Sequence, residues 1–416
     1  MSSGPIKSLT GFRDFFPEDC LQREFLFQHW RDQAGLSGFQ QYDGPPLESL
    51  ELFTRKSGEE ISGQLYHFRD QGDRDVALRP EMTPTLARMI AANHRNYKKP
   101  MKWFSIAQVF RYERPQKGRL REHVQWNADI IGEGTVGAEI ECLSMLIESL
   151  RSLGLKAEDI VVRISDRQFW HQFLADHAVP EAEHYAFLQV LDKMERVPAE
   201  VTKEKLGRLY EPVQQALEAA QGSEAIVQIL DALGAAGYGD YLKVDLSIVR
   251  GLAYYSGVVF EIHDRAGEFR AIAGGGRYDG LLQSLCGVDM PAVGFGMGDV
   301  VLTEFLKTKG LLKEAPSKEG YYFIIADEEV RSAALAQIAA FRRAGYRVDY
   351  PLSVTKVGKQ FQQAEELGYD QALIFDHQWV TDRVCDLKDL RERKQSSVRI
   401  DWDKEKLVLK KYEEEK

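Results

Sequence analysis

The stretch that decides the fold is FRYERPQKGRLRE, residues 110–122, because it joins two runs with the pattern of β-strands. Those runs, residues 102–112 and 123–131, predict an antiparallel hairpin with a long charged loop. The loop has a local net charge of +3 from five basic residues (Arg111, Arg114, Lys117, Arg119, Arg121) and two acidic ones (Glu113, Glu122). Arginines at the mouth of a hairpin suit bidentate binding of phosphate, although a solvated charged loop has the same pattern.

The composition of the whole chain sets wider limits. At 416 residues the chain is long enough for two or three domains, and its 44% hydrophobic content is ordinary for a globular protein. No run approaches the roughly 18 apolar residues of a membrane helix, and the N-terminus lacks a signal-peptide core. The net charge of −10 disfavours a small nucleic-acid-binding module, but local basic patches still allow an RNA partner. The four cysteines form no CxxC pair, which argues against zinc and disulfide sites and for a reducing, cytoplasmic location.

The first three quarters of the chain predict an α+β fold on an antiparallel sheet. Helices are expected from Pro17 and from Thr83-Pro84, and a strand pair within residues 64–78. Residues 166–237 are rich in Ala, Glu, Leu and Gln and predict a helical insertion. Strand patterns return at residues 242–249, 258–263 and 269–273, the last just before a glycine cluster, and residues 299–306 predict a closing helix.

The last quarter of the chain has a different pattern. Beyond a linker at residues 309–319, strands and helices alternate, which predicts a small α/β domain with a largely parallel sheet. The strands are expected at residues 321–325, 346–350 and 371–375, and the helices at 328–344 and 356–367. The charged tail, residues 404–416, is expected to be solvated and frayed.

Two glycine clusters follow the central strand patterns. The three glycines of residues 274–276 indicate either a close approach of the backbone to a ligand or a tight turn. Gly294, Gly296 and Gly298 alternate before a helix, but the spacing is not GxGxxG and no βαβ unit surrounds it, so a dinucleotide site is disfavoured. Arg250, followed by a glycine and paired tyrosines, suits a fixed positive charge beside two hydroxyls, or else a surface arginine beside core aromatics.

Taken together, four strings resemble the histidyl-tRNA synthetases, a family of the class II aminoacyl-tRNA synthetases. They are LRPEMT (78–83), FRYERPQKGRLRE (110–122), VRGLAYYSG (249–257) and GGGRYDGL (274–281). The resemblance implies a class II catalytic domain at residues 1–316, with its helical insertion at about 166–237, and an α/β anticodon-binding domain at 317–416. It also implies that histidine is activated with ATP and Mg²⁺ to histidyl-adenylate and transferred to the 3′ end of tRNA(His). The expected enzyme is a cytoplasmic homodimer with its N-terminal helix at the interface.

The resemblance also implies roles at the ATP end of the site. Arg111 would contact the α-phosphate, Glu113 the adenine end and Arg119 the outer phosphates. Arg250 would stand beside the α-phosphate and stabilise charge while the histidine carboxylate attacks. Arg111 and Arg250 are therefore the expected catalytic residues, since such a reaction needs positioning and electrostatic stabilisation more than proton transfer.

For histidine, the resemblance implies a polar pocket. Glu81, Thr83 and Gln125 would bind the α-ammonium group, Asp129 and Tyr254 would bind the imidazole, and Tyr255 belongs to the same predicted set. Simpler interpretations exist for several of them. Thr83 could cap the helix that begins at Pro84, and Glu81 could support Arg79 or that cap. Gln125 and Asp129 lie at even spacing on one strand, as on any surface strand.

Three positions depart from the family's pattern. Asp129 stands where glutamate is frequent, and Ala253 where aspartate is frequent. The helix after the second glycine cluster usually carries an arginine near its start, but here the residues are Asp299-Val300-Val301. We therefore expect the outer phosphates to depend more on Arg119 and on Arg277 or Mg²⁺.

These departures leave a second interpretation open. A synthetase-like paralogue serves as the regulatory subunit of ATP phosphoribosyltransferase and binds histidine without charging tRNA. The complete basic loop and the intact C-terminal pattern argue against it. Arg391, Arg393 and Lys394 in that domain would add RNA phosphate contacts, or else form an exposed charged turn. A nucleotide-binding oxidoreductase is disfavoured, because Ala326-Asp327-Glu328-Glu329 follows the first strand of the C-terminal domain where a glycine-rich fingerprint would stand.

Overall fold

The chain divides into two compact units, Met1–Ala315 and Pro316–Lys416. The computed structural model describes residues 6–55, 63–116, 118–220, 222–250, 254–312, 320–403 and 406–412. Lys117, Ala253 and most of the predicted linker therefore lie outside the described residues. Within the described ranges, every helix is too short or too polar to cross a bilayer.

An eight-stranded sheet dominates the described part of the first unit. The strands of this unit are β1 (Gln40–Gln41), β2 (Leu47–Ser49), β3 (His67–Arg69), β4 (Asp75–Leu78), β5 (Met101–Phe110), β6 (Glu122–Ile131), β7 (Ile160–Asp166), β8 (Leu242–Val244), β9 (Val258–Asp264), β10 (Ala273–Arg277) and β11 (Ala292–Gly298). The large sheet has the order β1-β5-β6-β11-β10-β9-β7-β8, with its inner strands antiparallel and the outermost pair at each edge parallel. Strands β2, β4 and β3 form a small antiparallel sheet. The predicted antiparallel α+β class is confirmed.

Helices cover one face of the large sheet and form the predicted insertion. The helices of this unit are α1 (Pro17–Leu36), α2 (Leu50–Thr54), α3 (Thr83–Asn93), α4 (Gly137–Ser152), α5 (Arg167–Asp176), α6 (Glu181–Lys193), α7 (Ala199–Leu206), α8 (Tyr210–Ala219), α9 (Glu224–Ala235), α10 (Gly280–Cys286) and α11 (Asp299–Thr308). Helices α1 and α4 bury Trp30, Leu146 and Leu150 in the main core. Helices α5 to α8 build a second core around Trp170 and Phe187, because their apolar residues recur at helical spacing.

The central hairpin is formed by β5 and β6, as its sequence predicts. Each strand has ten residues, and the register pairs Phe110 with Glu122 and Met101 with Ile131. Side chains alternate between the two faces of the sheet, so Trp126 and Ala128 enter the core while Gln125 and Asn127 face the other side. The hairpin therefore places its charged loop at one end of a polar sheet face.

The glycine clusters are strands and not turns. The predicted strand at residues 269–273 is wrong: the strand begins at Ala273 and runs through the three glycines to Arg277. Gly294, Gly296 and Gly298 likewise lie within β11, which pairs with β10 and β6. Glycine weakens an isolated strand, but here both neighbours of each strand supply hydrogen bonds, and the missing side chains leave room above the sheet.

The second unit is a six-stranded sheet with helices, within the described residues. Its elements are β12 (Gly320–Ile325), α12 (Arg331–Arg343), β13 (Arg347–Asp349), α13 (Val357–Glu366), β14 (Gln371–Phe375), α14 (His377–Asp382), β15 (Val384–Asp389), β16 (Gln395–Asp403) and β17 (Lys406–Lys411). The expectation of a largely parallel sheet is wrong in proportion, because only β13, β12 and β14 are parallel and the other described strands form an antiparallel meander. The expectation of a frayed tail is also wrong for residues 406–411. Leu407 and Leu409 there pack on the core of this unit while the lysines beside them stay exposed.

Candidate active site

The floor of the site is made by three adjacent strands whose glycines leave space for charged and polar side chains. A Cβ at Gly274 would lie 2.0 Å from Arg250 Nη1, and one at Gly294 would lie 2.0 Å from Asp129 Oδ1. A Cβ at Gly296 would lie 2.1 Å from Gln125 Nε2. Real Cβ atoms do not approach this closely, so glycine is required for these three side chains to lie flat over the sheet.

One end of this floor is a small, buried polar cavity of about 40 Å³, which we call the histidine-side cavity. Its wall contains all six residues predicted to bind histidine: Glu81, Thr83, Gln125, Asp129, Tyr254 and Tyr255. It also contains Asn127 and Tyr278, which the sequence did not single out, although Tyr278 stands in the quoted string GGGRYDGL. Since residues 125, 127 and 129 alternate on β6, all three face the cavity.

The simpler interpretations of Thr83 and Glu81 do not fit the structure. Helix α3 begins at Thr83 with Met82 at the N-cap position, and no side chain caps it. Arg79 donates to the carbonyl oxygens of Gln108 and Gly44, at 2.8 Å and 2.6 Å, and not to Glu81. Both predicted residues instead face the cavity.

Two carboxylate–tyrosine pairs define the chemistry of the histidine-side cavity. Tyr254 donates a 2.7 Å hydrogen bond to Glu81 Oε2, and Tyr278 donates a 2.6 Å hydrogen bond to Asp129 Oδ1. Burial raises the pKa of Asp129 to about 7, assisted by the nearby charge of Glu81 and opposed by the bond from Tyr278. Burial also raises the pKa of Glu81. The sequence paired Tyr254 with Asp129; in the structure the hydroxyl on Asp129 belongs to Tyr278.

Acceptor atoms in this cavity have no partner among the described residues. Glu81 Oε1, Gln125 Oε1 and Asn127 Oδ1 are buried without a hydrogen bond. Leaving a buried acceptor unpaired costs about 1–3 kcal/mol, so such atoms indicate a ligand site. Donors such as an ammonium group would satisfy them.

The other end of the floor is a larger and more open cavity of about 250 Å³, which we call the ATP-side cavity. Its wall contains Arg111, Glu113, Arg119 and Arg250, four of the five residues predicted to bind ATP, and also Arg270 and His123. Arg119 forms an ion pair with Glu113. Arg111 donates from Nε to the Pro80 carbonyl oxygen at 2.9 Å, which leaves its terminal N–H groups available to the cavity. Arg111 and Arg250 line both cavities and mark their junction.

Arg250 is held in an unusual backbone conformation. Its φ of +56° lies in the left-handed region, which a non-glycine residue rarely adopts and which is common at functional sites. Its Nη1 donates to Glu261 Oε1 at 2.8 Å, and His263 Nε2 bonds to the other oxygen at 2.8 Å. Although burial alone would raise it, the bond from His263 and the charge of Arg250 lower the pKa of Glu261 to about 2. The guanidinium is therefore fixed over the junction as a permanent positive charge.

Arg167, which the sequence analysis missed, fixes the backbone on both sides of Arg250. Arg167, at the start of α5, donates to the Val249 and Tyr255 carbonyl oxygens at 2.8 Å and 2.9 Å, and also to the Arg250 carbonyl oxygen. The helical insertion thus fixes the segment that carries Arg250. A single arginine at a helix start gives no sequence signal of such a role.

The structure contradicts the expectation that Arg277 binds ATP. Its five N–H groups are used by Glu139, Asp279 and the carbonyl oxygens of Glu133 and Thr135. It is only 7% exposed and lies in the wall of neither cavity. Its strand direction carries it to the helix-covered side, where its salt bridge to Glu139 fixes α4.

The start of α11 confirms the departure noted in the sequence. Asp299 turns away from the cavity, accepting from Arg13 Nη1 at 2.9 Å and from the Val124 amide at 2.9 Å. Val300 and Val301 line the ATP-side cavity at this point. The helix therefore contributes apolar surface to this part of the cavity wall.

Comparisons with known proteins agree with this geometry. A family model described as Histidyl-tRNA synthetase matches residues 11–298, and one described as Anticodon binding domain matches residues 315–409. A histidine–tRNA ligase of Opitutus terrae is 43% identical, over 94% of this chain and 96% of that protein. The chloroplastic/mitochondrial histidine–tRNA ligase of Arabidopsis thaliana is 37% identical, over 94% of this chain and 84% of that protein.

Among solved structures, the fold is similar to that of a histidyl-tRNA synthetase from a Nostoc species. That structure has a TM-score of 0.77 and 22% identity, covering 95% of this chain and 97% of that one. At this identity the likeness concerns the fold. Together with the family match and the relatives above, it leads to one conclusion: this chain belongs to the histidyl-tRNA synthetase family.

Proposed function

We propose that this chain is a histidine–tRNA ligase that forms histidyl-adenylate at the junction of its two cavities and transfers histidine to tRNA(His). The observation that carries the proposal is the arrangement of Arg111 and Arg250, which line both a buried polar cavity and an open cationic one. A reaction that joins a carboxylate to a phosphate needs such a junction.

In the first step, a carboxylate oxygen of histidine attacks the α-phosphorus of ATP in line. The new bond is C(O)O–Pα, and the bond between Pα and the bridging oxygen breaks as its electron pair leaves with pyrophosphate. The nucleophile is already ionised, so no general base is required. Arg111 and Arg250 lower the barrier by stabilising negative charge on the α-phosphate in a partly dehydrated site.

Recognition of histidine follows from the unpaired acceptors. The α-ammonium group would donate to Glu81 Oε1 and Gln125 Oε1, with Thr83 beside them. An imidazole nitrogen would meet the Asp129–Tyr278 pair, where either group can donate or accept. An amino acid without the ring nitrogens would leave these buried groups unpaired, which is a strong basis for rejection.

ATP would lie bent in the ATP-side cavity, because Glu113, proposed for the adenine end, and Arg119, proposed for the outer phosphates, form an ion pair. Mg²⁺ is expected on the phosphate oxygens, because it prefers oxygen ligands, usually retains several waters and binds few protein groups. Glu113 in the described wall is paired with Arg119, so the phosphates themselves and water would supply most of the ion's ligands. When bound, the ion shields the phosphate charges.

In the second step, a ribose hydroxyl of the 3′-terminal nucleotide attacks the activated carbonyl carbon, and AMP leaves. The C-terminal unit is the proposed anticodon-binding domain, in a cytoplasmic enzyme. Arg391 and Lys394 there are exposed and paired with Asp370 and Glu392, so RNA phosphates would have to displace exposed ion pairs. A contact of these residues with tRNA stays a prediction.

A homodimer is also proposed, with α1 and the following strand at the interface. Helix α1 and its N-cap expose Phe16 (67%), Leu21 (54%) and Leu36 (82%) although the same helix buries Trp30. Sedimentation at several concentrations tests this: a dimer whose dissociation is promoted by Leu21→Glu supports the interface, and a monomer at all concentrations contradicts it.

The activity is tested with purified protein in two assays. Histidine-dependent exchange of pyrophosphate into ATP, with Mg²⁺ and no tRNA, measures the first step, and charging of tRNA(His) measures the second. Exchange with histidine alone among the amino acids, followed by charging, supports the proposal. Histidine binding without exchange would contradict it and favour the regulatory-subunit alternative.

A further inference from the structure

The ATP-side cavity has a fourth arginine for which the reaction described above has no role. Arg270 precedes β10 and lines the cavity together with Ala271 and Ile272, within hydrogen-bond distance of Gln116 in the hairpin loop. It is exposed, in contrast to Arg250 at the junction. Its position is therefore at the open end of the cavity, away from the histidine-side cavity, whose wall does not include it.

The charge of Arg270 differs from its neighbours in how it is balanced. Arg119 has Glu113 as an ion-pair partner, and Arg250 has Glu261. Among the described residues, the side-chain bond of Arg270 is from Nη2 to Gln116 Oε1 at 2.8 Å, and this amide is neutral. No carboxylate in the described part of the chain forms an ion pair with this guanidinium, so its charge and most of its donors are available at the mouth of a cavity proposed to accept a highly charged polyphosphate.

Apolar residues elsewhere in the wall of the same cavity favour a role for this cation. Val300 and Val301 present methyl groups to the cavity, and the ideal Cβ position at Gly118 lies 3.6 Å from Val301 Cγ2. Asp299, the charged residue at this point, is turned toward Arg13. The outer phosphates of a nucleotide in this cavity would meet apolar side chains on one wall, so their charge must be balanced from elsewhere.

We propose that Arg270 binds the outer phosphates of ATP and stabilises the departing pyrophosphate. This role rests on the proposed function and assigns a residue to it. The planar guanidinium suits bidentate contact with phosphate oxygens. Arg270 uses one nitrogen on Gln116, and its other N–H donors are available to the phosphate oxygens.

The experiment compares Arg270→Gln, Arg270→Lys and the wild type in pyrophosphate exchange and in direct ligand binding. Arg270→Gln is expected to raise the KM for ATP and the inhibition constant of pyrophosphate roughly 10- to 100-fold, as loss of a charged hydrogen-bond partner does. The inhibition constant of AMP, which has no outer phosphates, is expected to stay within about twofold, and Arg270→Lys to recover part of the loss. An equal weakening of AMP and ATP, or an unchanged KM for ATP, would overturn the proposal.

Two matched variants separate this role from others. Gln116→Ala removes the neutral partner of Arg270, and Arg265→Gln removes a positive charge from the same segment without touching the cavity. Both are expected to leave the KM for ATP near the wild-type value. If Gln116→Ala raises it as much as Arg270→Gln, Arg270 acts by fastening the loop and the proposal is wrong. Equal urea midpoints for all variants exclude a loss of folding.

Failure of the proposed function would be recognised separately. If the wild type shows no histidine-dependent exchange, calorimetric titration with ATP, pyrophosphate and AMP still measures whether Arg270→Gln weakens only the first two. A selective loss supports the phosphate site, and no loss overturns it.

Discussion

The two cavities that meet at Arg250 are built on opposite principles. The histidine-side cavity is small and buried, and the carboxylates in its wall are matched by tyrosine hydroxyls, Glu81 with Tyr254 and Asp129 with Tyr278. The ATP-side cavity is several times larger, open to solvent and lined by arginines. The comparison teaches that one site can select a small ligand by buried hydrogen-bonding groups and bind a large, highly charged one by a set of arginines.

The free energy lost when a wrong ligand binds differs between the two cavities. In the buried cavity, a wrong ligand leaves acceptors without partners and loses about 1–3 kcal/mol for each. In the open cavity, a misplaced phosphate still meets solvent and another arginine, so each contact is weaker and is screened by salt. Selectivity should therefore depend on the closed end and rate on the junction.

The largest effect is expected at the junction itself. Arg250→Ala should lower the rate of histidine-dependent pyrophosphate exchange about 10²–10³-fold, because a preorganised charge on the transition state is removed. Histidine affinity, measured by calorimetry, should change little. The control is Arg163→Ala, which breaks a similarly buried ion pair, with Asp245, that lies outside both cavities. Near-normal exchange in Arg250→Ala would contradict the proposed role of Arg250 in stabilising the transition state.

The floor glycines allow a graded test of the closed end. Gly294→Ala places a Cβ 2.0 Å from Asp129 Oδ1 and 2.7 Å from the Ala128 carbonyl oxygen, so backbone or carboxylate must move. We expect a loss of about 1–3 kcal/mol in histidine binding or in stability. Gly298→Ala, whose Cβ would find His123 Cδ2 at an unstrained 3.8 Å, is the matched control on the same strand. Equal effects from the two would contradict the need for space over Gly294.

The buried carboxylate predicts a dependence of stability on pH. Because burial raises the pKa of Asp129 to about 7, the folded chain holds a proton that the unfolded chain releases above its ordinary carboxyl pKa. Asp129 therefore contributes less stability as the pH rises from about 4 to about 7, and its contribution is constant above that. Asp129→Asn should remove this loss, so urea midpoints at about pH 5 and pH 7.5 should fall less for the variant than for the wild type. An equal fall of the urea midpoint in the wild type and in Asp129→Asn would show that another group is responsible for the pH dependence.

The smallest effect concerns salt. Raising the ionic strength from about 50 to 300 mM shortens the distance over which charges attract each other. The arginines of the ATP-side cavity should then bind ATP less tightly, and the KM for ATP should rise about two- to threefold. The KM for histidine should stay nearly constant, since the groups proposed to bind it are shielded from solvent ions. A larger response for histidine than for ATP would reverse the comparison.

The wall of the histidine-side cavity was predicted from the sequence better than that of the ATP-side cavity. The resemblance to the synthetase family supplied the predicted histidine-binding residues, and the even spacing of Gln125 and Asp129 on β6 correctly placed them on the same face. For the glycines of residues 274–276 the sequence left open a close approach to a ligand or a tight turn, because the contact between Gly274 and Arg250 depends on segments far apart in the chain. Arg277 was misassigned for a related reason: its partner Glu139 lies 138 residues away.

The C-terminal unit shows the same limit. Its parallel strands follow from the alternation of strands and helices, but the pairing of β15 to β17 depends on short apolar runs within charged sequence.

Tyr278 was missed beside a correctly quoted string because nothing local distinguishes a pocket hydroxyl from a core tyrosine.

The division of roles between the cavities is tested most directly by Asp129→Ala in pyrophosphate exchange, with the KM for histidine and for ATP determined separately. The variant leaves the arginine wall intact and removes the partner of Tyr278. We predict a large rise in the KM for histidine, weaker rejection of amino acids without an imidazole, and an ATP KM near that of the wild type. Unchanged rejection of those analogues, or an equal rise in both KM values, would contradict the account.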